Sequence, residues 1–125
     1  MLGKILEKNE TKRFEKPDEV RTFDKGKVEL VNVGGLCIGK ATFEPGWKWS
    51  TCVKPLVKTA TCEAAHLGYI LSGTLKTRMN DGTEILSRPG DVVNIPSGHD
   101  GWVEGDEKVV LLDFQGLKDY AKKTR

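Results

Sequence analysis

The 125-residue sequence predicts a single all-β domain, a sandwich or barrel of short antiparallel strands. Three observations support this fold class. Short runs of alternating apolar and polar residues recur along the chain, Gly, Pro, Asn or Asp residues bound these runs, and no repeat, low-complexity tract or linker divides them. A chain of this length can bury a sizeable core without disulfides or a structural metal. We therefore expect one domain over residues 1–125.

Two hairpins are the clearest predicted elements. Each pairs two alternating runs across a turn that tolerates positive φ: 28–33 with 36–43 around Gly34-Gly35, and 75–79 with 83–87 around Asn80-Asp81-Gly82. Further strands are expected at residues 66–72, 91–95 and 108–114, each ended by Gly or Pro. Only residues 17–22 and 117–123 could be helical, and both segments are short.

The composition argues against several classes of partner. Twenty Lys and Arg residues against 18 Asp and Glu residues leave a net charge of +2, too small for the basic surface of a nucleic-acid binder. Residues 1–13 contain no apolar run of signal-peptide length, and the other apolar runs are strand-sized, so we expect a soluble cytoplasmic protein without a membrane partner. The sequence has three cysteines, and an odd number argues against a framework of disulfides and for reduced thiols. Reduced cysteines are candidate metal ligands.

A turn-strand-turn pattern in the middle of the chain is more specific. Pro45-Gly46 precede a long loop, residues 66–73 close it, and residues 89–98 contain Pro-Gly-Asp, a strand and Pro-Ser-Gly. This pattern resembles the cupin superfamily over about residues 41–114, with polar extensions on either side. The resemblance implies a double-stranded β-helix, or jelly-roll barrel, of short antiparallel strands.

The resemblance also implies a metal site, although its ligand positions are altered. Counted from the motif glycines, the first His of the family falls on Cys52 and its Glu falls on His66. Counted from His66, the second His falls on Cys62. The last His falls on Gly101, but His99 lies two residues earlier and would share its face of a strand. The implied ligand set is therefore Cys52, Cys62, His66 and His99.

These residue types favour particular metals. Imidazole and thiolate ligands suit zinc or iron, the expected cofactors, with copper or manganese as alternatives. Three ligands would leave a position open for water or substrate, whereas four would make a closed, structural site. The alternative is a barrel without metal, in which the two histidines hydrogen-bond loop backbone and the cysteines act as small core residues.

Two further residues are candidates for the substrate pocket. Asp100 follows His99 directly and could orient an imidazole or act as an acid or base, although Asp in a Gly-rich turn is often a turn former. Trp49 alternates with Trp47 and is expected at the barrel mouth, although Trp is often a core residue. Residues 50–61 are expected to form a long loop that acts as a lid or rim.

The leading functional hypothesis is a small-molecule cupin that holds a divalent metal, of dioxygenase, isomerase or decarboxylase type. The alternative is a ligand-binding or sensor cupin without catalysis, either metal-free or with a structural metal. The expected partner is a small organic molecule. We also expect a homodimer, in which residues 11–14 could add a strand to the sheet edge of the partner.

Overall fold

The computed structural model describes residues 8–122. This part of the chain forms nine strands and two single helical turns, which in chain order are β1 (Glu19–Phe23), β2 (Gly26–Val33), β3 (Leu36–Phe43), α1 (Trp49–Cys52), α2 (Lys54–Val57), β4 (His66–Ser72), β5 (Leu75–Met79), β6 (Glu84–Ser87), β7 (Val92–Ile95), β8 (His99–Val103) and β9 (Val109–Asp113). No helix within these residues is long or apolar enough to span a membrane.

The strands form two antiparallel sheets, which confirms the predicted fold class. The larger sheet has the order β1-β2-β3-β9-β4-β7, and the smaller sheet has the order β6-β5-β8. Strand β9 lies between β3 and β4, so the chain returns from its C-terminal part to the centre of the larger sheet. Such non-sequential neighbours are typical of a jelly roll.

Both predicted hairpins are present. Strands β2 and β3 pair from Gly26↔Phe43 to Val33↔Leu36, and Gly34 and Gly35 between them have φ of 59° and 76°. Two successive positive φ angles are what a two-residue type I′ turn requires, so the Gly-Gly pair sets the register of this hairpin. Strands β5 and β6 form the second hairpin. Strand β4 covers residues 66–72, as predicted.

Two predictions about local structure are wrong, and one strand was not predicted. Residues 17–22 are not helical, because Val20, Thr22 and Phe23 lie in strand β1 and pair with β2. Residues 117–122 form turns instead of a helix, and residue 123 lies outside the described part of the chain. Strand β8 was not among the strands expected from the alternating pattern, although the comparison of His99 with Gly101 assumed that the two residues share a strand.

The expected long loop at residues 50–61 is also only partly a loop. Helical turns α1 and α2 occupy its first half, and Cys52 and Val53 are buried in the core. Lys54 and Lys58 remain exposed. The segment is thus anchored on its inner side by apolar side chains, and only its outer side faces solvent.

The core lies between the two sheets. Side chains at alternate positions of the strands point inward, among them Val28, Leu30, Ala41, Ile70, Val109 and Leu111. The Phe43 and Trp47 rings stack with their centroids 3.8 Å apart and close one end of this core. Phe43 pairs with Val109 at the start of β9, and Asp113, which belongs to the polar cluster described below, lies at the other end of this strand.

Replacing Ile70 with Ala should destabilise the protein by about 2–5 kcal/mol, since the side chain is fully buried and its removal leaves a cavity. The matched control is Ile85→Ala, because Ile85 is 56% exposed and its truncation should change stability by no more than about 0.5 kcal/mol. Urea unfolding followed by circular dichroism measures both values. Equal effects of the two substitutions would contradict this description of the core.

Candidate metal site

Three of the four predicted ligands lie together. The ligand atoms of Cys62, His66 and His99 all lie within 4.8 Å of one another, and the three residues are 4–7% exposed. His66 is the first residue of β4 in the larger sheet, and His99 is the first residue of β8 in the smaller sheet. The cluster therefore sits where the two sheets meet.

Cys62 is held in this place by backbone hydrogen bonds. Its N–H donates to the carbonyl of His99 over 2.8 Å, and its carbonyl accepts from the N–H of Gly98 over 2.8 Å. Cys62 and His99 thus form an isolated β-bridge. Because both residues are fixed through their main chains, the thiol and the imidazole approach each other without depending on a flexible loop.

The two imidazoles are oriented by acceptors on their Nδ1 atoms. His66 Nδ1 lies 2.6 Å from Asp113 Oδ2, and His99 Nδ1 lies 2.7 Å from the carbonyl of Pro96. A carboxylate and a carbonyl can only accept, so each Nδ1 donates its hydrogen. His66 Nε2 is left facing Cys62 Sγ, 3.7 Å away. Fixing the outer nitrogen of a His in this way is how proteins orient metal-ligating imidazoles.

The charges of Cys62 and His66 are coupled. Burial opposes ionisation of the thiol, but hydrogen bonds from His66 and His99 outweigh it and lower the pKa of Cys62 from 9.0 to about 7. Burial likewise disfavours an imidazolium, but hydrogen bonds to Asp113 and Cys62 outweigh it and raise the pKa of His66 from 6.5 to about 9. Without metal, these contacts favour a thiolate at Cys62 and an imidazolium at His66.

This donor set fits a transition metal. Tetrahedral zinc with one sulfur and one nitrogen ligand requires the two atoms to be roughly 3.6 Å apart, and Cys62 Sγ and His66 Nε2 are separated by 3.7 Å. The thiolate excludes magnesium and calcium as preferred metals and favours zinc, iron or copper. Three ligands would leave a coordination position for water or substrate.

Cys52, the fourth predicted ligand, lies outside this cluster. Its Sγ is 3.7 Å from Asp24 Oδ2 and 3.5 Å from Thr51 Oγ1. The motif spacing assumed an extended segment, but Cys52 ends the helical turn α1, which changes the direction of its side chain. The structure thus separates Cys52 from the two histidines.

Asp100, predicted for the substrate pocket, orients no imidazole here. Its Oδ1 accepts hydrogen bonds from the backbone N–H groups of Ser50 and Gly101, over 3.1 and 2.8 Å. Along β8 the buried positions are His99, Gly101 and Val103, so Asp100 lies on the opposite face. Its carboxylate ties α1 to β8 instead of facing the cavity.

The residue that orients an imidazole is Asp113, which the sequence prediction missed. It is 1% exposed and is the last residue of β9. A signal was present in the sequence, because Val109, Leu111 and Asp113 alternate along one strand and the first two are apolar. An acid in the third inward position marks a buried carboxylate that needs a partner.

Two spaces adjoin the cluster. The inner cavity, between the sheets, is lined by His66, His99 and Asp113 among apolar side chains and has a volume of about 40 Å³, room for two or three waters. The outer cleft, of about 450 Å³, is reached from the other side and is lined by Cys62. Trp49, which was predicted for the substrate pocket, lines both spaces. Tyr120 also lines both, and its ring contacts the His66 ring edge-on with the centroids 5.5 Å apart.

Comparisons with known proteins identify the fold. No family model matches the sequence, and no curated protein matches it. Solved structures do match. They include a cupin-like protein from Thermotoga maritima (TM-score 0.52, 16% identity, 74% of this chain and 69% of that one).

A cupin-superfamily sugar phosphate isomerase from Silicibacter pomeroyi also matches, with a TM-score of 0.54, 18% identity and coverage of 78% of this chain and 73% of that one. KdgF from a Halomonas species matches with a TM-score of 0.53, 17% identity and coverage of 76% and 83%. At these identities the likeness concerns the fold alone. The chain therefore has a cupin fold, as its motifs predicted.

Replacing Asp113 with Asn should lower the pKa of His66 from about 9 towards 6.5, because the anionic acceptor that stabilises the imidazolium is lost. A pH titration of the histidine ring protons of the metal-free protein by NMR measures this, and the chain has only two histidines. Asp100→Asn is the control and should leave the pKa of His66 unchanged. An unaltered titration in Asp113→Asn would show that the carboxylate does not govern this imidazole.

Proposed function

We propose that this protein is a metal-dependent cupin in which Cys62, His66 and His99 hold a divalent transition metal and which acts on a small organic molecule. The observation that carries the proposal is the buried cluster of three ligand atoms within 4.8 Å of one another. The anchored Nδ1 atoms of both histidines support it, since they direct the Nε2 atoms to the ligand position.

Each surrounding residue has a role in this proposal. Asp113 accepts the Nδ1 hydrogen of His66 and so holds the ring with Nε2 available to the metal. Trp49 and Tyr120 are buried beside the ligands and line both adjoining spaces. A bound metal would polarise a carbonyl or activate water or oxygen. Zinc or iron is the proposed metal, with copper next, and manganese fits the thiolate least well.

The geometry of the site is compatible with several types of reaction and does not select one of them. One fold neighbour is described as a sugar phosphate isomerase, but a shared fold does not transfer a reaction. A site with three ligands and an open position is suited to a dioxygenase, isomerase or decarboxylase. A protein that bound its ligand without a metal would be a sensor or binding module.

All three thiols are free, which supports a reducing compartment such as the cytoplasm.

Metal content tests the proposal directly. Protein purified without a histidine tag should contain close to one zinc or iron per chain by plasma mass spectrometry, and Cys62→Ser, His66→Ala or His99→Ala should each remove most of it. Cys52→Ser is the matched control and should retain full occupancy, since Cys52 is equally buried but lies outside the cluster. Absence of metal from the unmodified protein would favour the binding module.

The affinity for metal should rise with pH. Ligation needs a thiolate at Cys62 and a neutral imidazole at His66, and the pKa values of these groups are about 7 and about 9. Protons compete with the metal at both groups, so affinity should increase from pH 6 to 9 and uptake should release protons. Calorimetry in buffers of different ionisation enthalpy measures this release. An affinity that stayed constant from pH 6 to 9 would contradict the assigned ligands.

We further propose that the protein is a homodimer. Strands β4 and β7, with Phe114 directly after β9, expose neighbouring apolar side chains, because Tyr69 lies beside Val92 and Leu67 lies beside Phe114. With Leu71, these side chains are 37–73% exposed and offer on the order of 500 Å². This is close to the apolar share of the roughly 800 Å² that each partner buries in a stable interface. Residues 11–14 form no strand within the described chain and are not needed for this interface.

Light scattering should give a mass of twice the 13.9 kDa of one chain. Val92→Lys should shift the protein towards the monomer, because Val92 is the most exposed of these side chains and a charge buried in an apolar interface must be desolvated. Ile85→Lys, at an exposed position of the smaller sheet, should leave the dimer intact. A monomeric unmodified protein would disprove the dimer.

A further inference from the structure

The two spaces beside the candidate metal site differ greatly in size. The inner cavity of about 40 Å³ holds a few waters and no organic molecule of substrate size. The outer cleft of about 450 Å³ lies within the range of small-molecule sites, roughly 300–1,000 Å³. Cys62 lines the outer cleft but not the inner cavity. A molecule in the cleft would therefore approach the cluster from the side of the cysteine.

The outer cleft has an apolar floor and a charged rim. Its buried lining residues are Trp49, Cys62, Tyr120 and Ala121, and Val57 is half-buried beside them. The exposed lining residues are Glu63, Lys118 and Asp119, and Asp119 is paired with Lys122 over 3.8 Å. The charges of this rim nearly cancel, so the cleft favours neither an anion nor a cation.

The wall between the two spaces is held rigidly. The Arg21 guanidinium, which comes from β1, donates hydrogen bonds to the carbonyls of Leu117, Lys118 and Tyr120. Leu117 also packs against Gly39, where a Cβ atom would collide with it. These contacts fix the turn that carries Tyr120, so the tyrosine ring separates the cleft from the inner cavity in a single position.

We propose that the outer cleft is a binding site for a small uncharged molecule with an aromatic or branched aliphatic body. Its apolar floor binds the body of the ligand, and the reactive end of the ligand points at Cys62 Sγ. Only the identification of this ligand as the substrate of the metal site rests on the proposed function. The cleft itself can be tested on metal-free protein, so the two proposals can fail separately.

The test uses N-benzyliodoacetamide as the probe, with iodoacetamide as its small analogue. In the labelling reaction the thiolate sulfur of Cys62 attacks the methylene carbon, a carbon–sulfur bond forms, and iodide leaves. Peptide mass spectrometry at fixed pH gives the rate at each cysteine. The rate at Cys62 should saturate as the concentration of the benzyl reagent rises, because reversible binding in the cleft precedes the reaction. The rate at the half-exposed Cys37 is the control and should rise linearly with the reagent concentration.

A variant that fills the cleft completes the test. Val57→Trp should slow labelling of Cys62 by the benzyl reagent at least tenfold, and Ile85→Trp, on the outside of the smaller sheet, should leave it unchanged. If Val57→Trp does not fold, Thr59→Trp is the second variant, because Thr59 also lines this cleft. All rates are measured on protein stripped of metal with a chelator, so that a metal bound at Cys62 does not block the thiolate. A linear rate at Cys62 in the unmodified chain, or equal rates in the filled and unfilled proteins, would overturn the proposal.

Discussion

The hydrogen bond between His66 and Asp113 is the contact on which the site depends. Both side chains are buried, and a carboxylate with 1% exposure is costly to bury unless it is paired. Pairing with an imidazole satisfies this need, and it also fixes the ring and its tautomer. The same carboxylate accepts from the backbone N–H of Gln115, which fixes the chain directly after β9. One buried acid thus connects the centre of the larger sheet to the cluster and to the C-terminal turn.

The position of the cluster between the two sheets explains how a small barrel holds one thiol and two imidazoles close together. His66 belongs to one sheet and His99 to the other, and Cys62 joins the second sheet through its bridge to His99. Their separation is therefore set by the packing of the core between the sheets, which resists small changes in shape. Burial alone would disfavour the charged forms of the thiol and the imidazole. The hydrogen bonds of His66 to Asp113 and Cys62 raise the pKa of the imidazole, and those of Cys62 to His66 and His99 lower the pKa of the thiol.

The sequence motifs predicted more of the fold than of the site. Strands with an apolar alternation and a glycine turn, such as β2 and β3, were predictable because both signals are local. Strand β1 and the helical turn α1 were not, since β1 is stabilised by pairing with β2 and α1 by burial of Trp49 and Cys52. The error over Cys52 follows from α1, because a helical turn directs a side chain differently from the extended chain that the motif spacing assumed.

The sequence by itself determined that short strands alternate with tight turns, and that both histidines fall in the motif segments of a cupin. These are short-range properties, set by the two-residue period of a strand and the conformational freedom of glycine. Only the tertiary structure decided which polar residues meet. Asp113 reaches His66 across 47 residues of sequence, because β9 pairs with β4 in the larger sheet. Asp100, adjacent to His99 in sequence, faces away from it, because successive residues of a strand point to opposite faces.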